Sequence, residues 1–297
     1  MEPSIKEKTG IDPGAPQCLV VGANGLIGKA LVRAWNPPIA TTKEELNLLF
    51  PSLDSLPIEN ETHLIIAAGV TKPAVCVRDP LITRKVNVEG TLKLAELAAM
   101  HGIIPVLFST DYVFDGKKGP YSESSPHSPI SEYGKQKALL ENSIAEVTQG
   151  NYLLLRLSKI YTTIPDDQTL IDEIVSHLQK NERYLAATDQ VFCPMHLDDL
   201  LVVLKHLIQM NKTGIYNVAG KEAVSRYDLA KTICQTLEIS ERLLTPVSID
   251  VFGKDLRPKS TILETTKLFR EIDLNFPTLE ERILDNANSG LGPYENA

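Results

Sequence analysis

The sequence predicts an α/β fold in which a doubly wound parallel sheet is combined with a smaller, partly interleaved lobe. Short apolar strands alternate with helical segments along the first half of the chain, which is typical of such a sheet. These strands lack polar alternation, as expected when helices bury both faces of the sheet. A glycine-rich turn also joins the first strand directly to the first helix.

The first elements are marked by apolar spacing and by residues that end them. The apolar run Cys18–Val21 ends at Gly22 and predicts a strand. Apolar residues at helical spacing then predict a helix over 25–35, which Pro37 ends together with the proline that follows it. The second strand is expected near Ile39.

The same alternation continues to Tyr161 and then loosens. Strands are predicted at 64–67, 105–108 and 152–156, with helices over 80–100 and 131–147 between them. Later helices are predicted over 169–180, 197–210 and 226–237, with short strands near Tyr184 and at 214–218. We therefore expect a sheet domain over 17–161 and a smaller lobe over 162–285, between a loose leader at 1–16 and a fraying tail from Asn286.

Composition and charge exclude several classes of protein. Hydrophobic residues make up 43% of the chain, and no apolar run is long enough to cross a bilayer, so a membrane protein is not expected. The first ten residues contain no signal-like apolar stretch, which predicts a cytoplasmic protein. A net charge of −8 without Lys and Arg clusters argues against a nucleic-acid partner. The four cysteines are far apart, which predicts buried thiols rather than disulfides or a metal site.

The turn after the first strand is suited to a dinucleotide. Gly22, Gly25 and Gly28 lie three residues apart where the strand meets the helix. Glycines at such a turn allow a pyrophosphate to approach the backbone amides at the helix N-terminus, and they allow the helix to pack closely on the sheet. The alternative is that these glycines satisfy only the geometry of the turn. With the elements that follow, the turn predicts a Rossmann-type cofactor site.

Tyr133 and Lys137 form a candidate acid and its partner. They lie four residues apart on a predicted helix, so both side chains project from one face. A phenol within hydrogen-bond distance can donate the proton that a ketone oxygen needs during reduction, and a neighbouring ammonium lowers the phenol pKa. The alternative is a solvated helix face, but the pair follows the strand that ends at Ser109 and Thr110. We expect Thr110 to hold the carbonyl oxygen, with Ser109 as its neighbour.

These motifs resemble one family, the dTDP-4-dehydrorhamnose reductase branch of the extended short-chain dehydrogenases. The glycine turn has the G-x-x-G-x-x-G form of those enzymes, and the similarity extends through most of the chain. The segments that carry it are Ser109-Thr-Asp-Tyr-Val-Phe-Asp-Gly116, Tyr133-Gly-Lys-Gln-Lys137, Leu155-Arg-Leu-Ser158 with Tyr161, Asp189-Gln190 with Pro194, Asp199-Leu200, Gly214-Ile-Tyr-Asn-Val-Ala-Gly220, Ser225-Arg-Tyr-Asp-Leu-Ala230, Arg257-Pro-Lys259 and Thr266-Lys-Leu268.

The resemblance implies reduction of a 4-keto group on a nucleotide-activated deoxysugar, with hydride from NADPH or NADH and a proton from Tyr133. The expected partner is therefore a nucleotide sugar, for a chain that is a monomer or a homodimer. The implied cofactor contacts are Gly22, Asn24, Gly25, Leu26, Ile27, Gly28, Ala67, Ala68, Gly69, Tyr133 and Lys137. The implied substrate contacts are Ser109, Thr110, Asp111, Val113, Phe114, Lys159 and Gln190.

Some positions depart from the family pattern. Lys159 stands in a stretch where the family often has Trp, which leaves the sugar open. No acid occurs in 39–43 to contact the ribose hydroxyls, which favours NADPH over NADH. The family's metal-bridged dimer needs a Glu just after the glycine turn, where this chain has Lys29 and then alanine, so no metal site is expected. His127 and His196, like His101, have no evident partner and are expected at the surface.

Two other functions remain open from the sequence. The same branch resembles the beta regulatory subunit of methionine adenosyltransferase, a non-catalytic protein that binds NADP and controls a partner enzyme. A related sugar-nucleotide reaction, epimerisation or dehydration, is the other alternative. Dehydratases usually have a carboxylate beside the active-site Thr, and Asp111 occupies that position, but Asp111 also belongs to the reductase motif.

Overall fold

The computed structural model describes residues 14–164, 167–253 and 257–288. Residues 1–13 of the predicted leader and 289–297 of the predicted tail lie outside the described residues. The strands are β1 Cys18–Val21, β2 Ile39–Thr41, β3 His63–Ile66, β4 Ile104–Thr110, β5 Leu153–Leu157, β6 Ile160–Tyr161, β7 Tyr184–Ala187, β8 Val191–Phe192, β9 Met195–His196, β10 Gly214–Val218, β11 Val224–Ser225 and β12 Leu244–Val247. The α-helices are α1 Leu26–Trp35, α2 Pro73–Arg78, α3 Pro80–Arg84, α4 Thr91–Met100, α5 Glu132–Val147, α6 Leu170–Gln179, α7 Leu197–Gln209, α8 Arg226–Thr236, α9 Thr266–Glu271 and α10 Leu279–Asn288.

The main sheet has six strands in the order β10-β5-β4-β3-β1-β2. Every pair of neighbours in it is parallel, so the predicted doubly wound fold is confirmed. The sixth strand, β10, comes from the part of the chain assigned to the smaller lobe. The smaller lobe is thus interleaved with the sheet through this strand. In the part of the chain that the structure describes, further strands pair as the two-stranded sheets β11-β8, β12-β7 and β6-β9.

Helices cover both faces of the sheet, and successive side chains of each strand point to opposite faces. In β1, Cys18 and Val20 pack with α1 and α7, whereas Leu19 and Val21 pack with α4 and α5. A third apolar cluster joins α6, α8 and α10 to β7 in the smaller lobe. All four cysteines are buried and free, as predicted.

The helix predicted over 80–100 is continuous but not regular. Between α3 and α4 the backbone forms a π-helical segment, Lys85–Gly90. This segment places Asn87 inside the protein, where its side chain accepts from the Val70 N–H at 2.8 Å and donates to the Val70 carbonyl at 2.9 Å. The irregular turn therefore fixes the loop that follows β3.

Candidate active site

A cavity of about 430 Å³ opens at the carboxyl edge of the main sheet, where parallel sheets bind their ligands. This volume lies within the range of ligand pockets. The cavity walls come from the β1–α1 turn, from the ends of β3, β4 and β5, and from the smaller lobe. The predicted site residues that line it are Gly25, Leu26, Ile27, Ala67, Ala68, Gly69, Ser109, Thr110, Asp111, Tyr133, Lys137, Lys159 and Gln190.

The glycines of the turn have different roles. Gly22 has φ +94°, and a Cβ there would come within 2.6 Å of the Ala68 nitrogen. A Cβ on Gly28 would collide with the Gly22 carbonyl oxygen. Both residues are therefore required by the packing of the turn itself. A Cβ on Gly25 would make only ordinary contacts, at 3.4 Å and beyond, so the protein's own packing does not explain this glycine.

The turn fits a dinucleotide phosphate. Gly25 is the N-cap of α1 and lines the cavity together with Leu26 and Ile27. In the described structure no side chain caps this helix start. An uncapped helix N-terminus that faces a cavity presents backbone N–H groups and the positive end of the helix dipole to an anion. The bare Cα of Gly25 leaves room for that anion to approach.

Two predicted substrate contacts lie elsewhere. Val113 and Phe114 are fully buried and do not line the cavity, because they belong to a small apolar cluster beside the site. The Phe114 ring stacks on the Tyr121 ring with 4.1 Å between centroids, and the Arg156 guanidinium lies over the Phe114 ring, 4.9 Å from its centroid. Among the predicted cofactor residues, Gly22, Asn24 and Gly28 also do not line the cavity.

Thr110 and Asp111 lie at the end of β4. The Thr110 hydroxyl donates to Asp111 Oδ1 at 3.1 Å and accepts from the Tyr112 N–H at 3.2 Å. Asp111 Oδ2 accepts from the hydroxyls of Thr261 at 2.6 Å and Ser158 at 3.4 Å. Burial raises the pKa of Asp111 to about 6, although these hydroxyls oppose the shift. The carboxyl is therefore held by this chain's own side chains.

Tyr133 begins the helix that faces this strand end. Ser131 caps α5 by accepting from the Gly134 N–H at 3.1 Å, which sets Tyr133 in the first turn. Burial raises the pKa of the Tyr133 phenol, and the nearby Asp111 charge raises it further, while the Thr110 hydroxyl opposes the shift. The lowering of this pKa expected from Lys137 is therefore not found in the described structure, and the phenol keeps its proton at neutral pH.

Lys137 lies one turn further along α5 and lines the same cavity. Its Nζ donates to the Phe108 carbonyl oxygen at 2.8 Å, which ties α5 to β4. Burial lowers the pKa of Lys137 to about 8, and the carboxylate of Glu141 limits this shift. The ammonium is therefore predominantly charged at neutral pH and has further N–H groups beside the cavity.

Glu141 forms a buried ion pair behind the site. Its carboxylate accepts from Arg156 Nη2 at 2.6 Å and lies 2.9 Å from His127 Nε2. Ser109 also donates its hydroxyl to Glu141, so this hydroxyl is committed within the protein. The expectation that His127 is an ordinary surface histidine is wrong, because its ring reaches this buried carboxylate. His196 is buried as well.

Three cations line the cavity on the side of the smaller lobe. They are Lys159, Arg226 and Arg257. Burial and the neighbouring Arg226 lower the pKa of Lys159. Arg226 is fixed by Gln190 Oε1 at 3.2 Å and by the Tyr184 hydroxyl at 2.8 Å. The sequence interpretation gave Arg226 and Arg257 no role, although both lie in segments that carry the family resemblance.

A carboxylate lies at the end of β2, close in the chain to the stretch 39–43 that was considered for the cofactor's ribose. Glu45 Oε2 accepts from the Thr42 N–H at 2.8 Å. The sequence stretch 39–43 contains no acid, but the turn that follows it folds Glu45 back onto this strand end. Glu45 is not among the described residues that line the cavity, so the preference for NADPH over NADH stays a prediction.

The described residues form neither a metal-binding cluster nor a membrane-spanning helix. Within residues 14–164, 167–253 and 257–288, no three or more His, Cys, Asp or Glu side chains are grouped so as to hold a metal ion. In the same part of the chain, no helix combines the length and the apolar composition needed to cross a membrane.

Comparison with known proteins agrees with the fold and the family resemblance. A family model described as the RmlD substrate binding domain matches residues 17–289. A dTDP-4-dehydrorhamnose reductase from Sinorhizobium fredii is 28% identical over 283 residues, which cover 88% of this chain and 93% of that protein. Methionine adenosyltransferase 2 subunit beta from Xenopus laevis is 27% identical over 274 residues, which cover 85% of this chain and 81% of that protein.

The fold has a similar solved counterpart. The crystal structure of dTDP-4-dehydrorhamnose reductase from Bacillus anthracis in complex with NADP superposes with a TM-score of 0.83 at 25% identity, covering 93% of this chain and 99% of that chain. The family resemblance inferred from the motifs is confirmed by the family match, which spans both lobes. The chain therefore belongs to the RmlD substrate-binding domain family.

Proposed function

We propose that this protein reduces the 4-keto group of a nucleotide-activated deoxysugar with NADPH or NADH. The observation that carries the proposal is one cavity that joins an uncapped helix N-terminus, the Thr110, Tyr133 and Lys137 side chains, and a cationic end. Similarity to named dTDP-4-dehydrorhamnose reductases supports the same reaction. The two lobes then divide the work, with the cofactor on the sheet and the substrate's charged part against the smaller lobe.

The nicotinamide cofactor supplies hydride to the keto carbon when it is bound. Its pyrophosphate would be held by the backbone at Gly25, Leu26 and Ile27, where the space above Gly25 is left open by the missing Cβ. Ala67, Ala68 and Gly69 would form the next part of the cofactor surface. Small residues there let a flat ring system lie close to the end of β3.

Tyr133 donates the proton to the keto oxygen. Reduction of a ketone requires a protonated acid at the start of the step, and the raised pKa keeps the phenol in that form at neutral pH. The alkoxide that forms at the sugar oxygen is a stronger base than a phenolate, so the proton transfer is favourable. Thr110 lies beside the phenol and orients the same oxygen.

Lys137 stabilises the phenolate that remains after this transfer. Its Nζ already donates to the Phe108 carbonyl, and the other N–H groups of the ammonium remain beside the cavity. A positive charge there lowers the energy of the phenolate, which exists only after the proton has left Tyr133. The same N–H groups of the lysine would also contact the hydroxyls of a nicotinamide ribose.

The cationic end of the cavity supports a diphosphate as part of the substrate. Among the described residues, the charged groups that line the cavity are Lys137, Lys159, Arg226 and Arg257 against Asp111 and Glu173. The cavity is therefore positive within a chain whose net charge is −8. A positive cleft in an acidic protein concentrates anions at that one place. A guanidinium group can donate two parallel hydrogen bonds to the oxygens of one phosphate, which suits a nucleoside diphosphate.

The proposal is tested by mixing the protein with NADPH or NADH and a dTDP-4-keto-6-deoxy sugar, then following nicotinamide absorbance. Tyr133→Phe should reduce kcat by at least about 100-fold, because general acid catalysis contributes about that much, and should leave cofactor binding intact. Tyr152→Phe, at the opposite end of β5, is the matched control and should retain turnover. Turnover by Tyr133→Phe at the normal rate would remove Tyr133 as the proton donor.

A second candidate function is a non-catalytic NADP-binding subunit. It is favoured by the 27% identity to methionine adenosyltransferase 2 subunit beta. In that case the protein would bind NADPH, oxidise none of it with any keto-sugar nucleotide, and form a stoichiometric complex with an adenosyltransferase. Both proposals imply the same location, the cytoplasm. Free buried thiols and a nicotinamide cofactor suit this reducing compartment.

A further inference from the structure

We propose that the protonation state of Asp111 decides the direction in which the Thr110 hydroxyl donates, so that Asp111 returns protons to Tyr133 through Thr110. This inference rests on the proposed ketone reduction, in which Tyr133 must regain a proton after every turnover. Asp111 acts through Thr110, so it is a positioning residue rather than the acid that contacts the substrate.

The geometry of Asp111 carries the inference. Its two oxygens accept from three hydroxyl groups, Thr110 at 3.1 Å, Thr261 at 2.6 Å and Ser158 at 3.4 Å. The residue lines the cavity but is only 4% exposed. A carboxyl surrounded by hydroxyls can gain or lose a proton while every neighbour rotates to match, because hydroxyls both donate and accept.

Thr110 connects this carboxyl to the phenol. A hydroxyl has one donor and two acceptor positions, and the Tyr112 N–H occupies one acceptor position at 3.2 Å. When Asp111 is ionised, Thr110 donates to Asp111 and its last acceptor position is free for the Tyr133 O–H. The Thr110 proton is then unavailable to a keto oxygen.

Protonation of Asp111 reverses the direction of the hydrogen bonds that join Asp111, Thr110 and Tyr133. The carboxyl O–H donates to Thr110, and the Thr110 proton turns toward Tyr133 and the substrate oxygen. After Tyr133 has given its proton to the sugar alkoxide, the phenolate takes the Thr110 proton, and Thr110 takes the Asp111 proton in the same movement. Asp111 is left as a carboxylate and regains its proton from water in the cavity, so the protons balance.

The surroundings of Asp111 allow both protonation states near neutrality. Burial raises its pKa to about 6, while the Thr261, Thr110 and Ser158 hydroxyls and the Lys159 charge oppose the shift. The other titratable groups that face it are Tyr112, which follows it in the chain, Tyr133 on α5, and Cys193 between β8 and β9. Burial raises the pKa values of these three groups as well, so they stay neutral in this range.

The first test is the pH dependence of kcat/KM between pH 5 and 8. The wild-type value should fall as pH rises through about 6, as Asp111 loses its proton. Asp111→Asn supplies a permanent N–H donor to Thr110 but no transferable proton, so it should lose this limb, keep the first turnover and slow the later ones by at least about 100-fold. Thr261→Val removes a donor that stabilises the carboxylate and should move the limb upward by about one pH unit.

Two results would overturn the inference. One is a limb that persists unchanged in Asp111→Asn. The other is a steady-state kcat in Asp111→Asn equal to that of the wild type, because the proton would then return to Tyr133 without Asp111.

A second measurement does not depend on turnover. In the unliganded protein, the carboxyl carbon of Asp111, assigned by its loss in Asp111→Asn, should titrate near pH 6 by NMR and shift upward in Thr261→Val. An Asp111 that titrates below pH 5, or that ignores Thr261→Val, overturns the inference whatever the enzyme does. The expected titration without any turnover of a keto sugar would instead refute the proposed function alone.

Discussion

Glu141→Gln should destabilise the protein by about 3–5 kcal/mol, because it leaves the Arg156 guanidinium buried without its counter-ion. The Arg156 and Glu141 side chains are 1% and 0% exposed, and their closest N···O distance is 2.6 Å. The lowered pKa of Glu141 gives a similar free energy. Burial alone would raise the Glu141 pKa, but the His127 and Arg156 contacts lower it from 4.5 to about 2, which corresponds to about 3 kcal/mol.

The sign of the pH effect follows from the lowered pKa. This stabilisation is fully present above the unfolded-state pKa near 4.5 and is lost as pH falls toward 2. The free energy of unfolding of the wild type, measured with urea, should therefore decrease across this pH range. Glu141→Gln should not show this pH-dependent decrease. Glu146→Gln, on an exposed position of the same helix, is the control and should change stability by less than about 0.5 kcal/mol. A loss below about 1 kcal/mol in Glu141→Gln at pH 7 would refute the reasoning.

Three further predictions follow from single positions. Burial lowers the pKa of His63 to about 4, so up to about 3 kcal/mol of stability should be lost as pH falls from 6.5 to 4. The urea midpoint of His63→Gln should fall less over the same pH range. Gly22→Ala should lower the free energy of unfolding by more than about 1 kcal/mol in the same urea assay. Gly25→Ala should keep the wild-type stability but lose NADPH affinity in a calorimetric titration. Equal losses of stability in the two variants would contradict this division of roles. Arg226→Met should weaken dTDP binding by about 10- to 100-fold in calorimetry, and Lys231→Met on the same helix should not; equal affinity of the two variants would exclude Arg226 from the diphosphate site.

The large elements were predictable from the sequence because local patterns determine them. The strand predicted at 214–218 has those bounds in the structure, and the predicted helix over 131–147 begins after its Ser131 N-cap. The two-residue strands of the smaller lobe were not predicted. β8 and β11 exist only because Val191 and Ser225 meet across the fold, and a two-residue segment carries too little periodicity to show such a pairing.

The site was predictable where a residue type has one evident chemical use. Tyr133, Lys137 and Thr110 line one cavity, as their spacing and strand position predicted. Contacts between distant segments could not be predicted in the same way. Glu45 turns back to the Thr42 N–H, and Thr261 approaches Asp111 from 150 residues away, because the tertiary fold and not local spacing brings these groups together.

The electrostatics of Tyr133 favour one direction of the proposed reaction. Oxidation of an alcohol would need the phenolate as a base at the start, and burial together with the Asp111 charge opposes that form. Reduction needs the neutral phenol at the start and a stabilised phenolate only at the end. The Lys137 ammonium is fixed beside the cavity by the Phe108 carbonyl. In the proposed reaction its charge would act on the phenolate as it forms. The same burial that keeps the proton on Tyr133 thus strengthens the interaction with Lys137 after the proton has left.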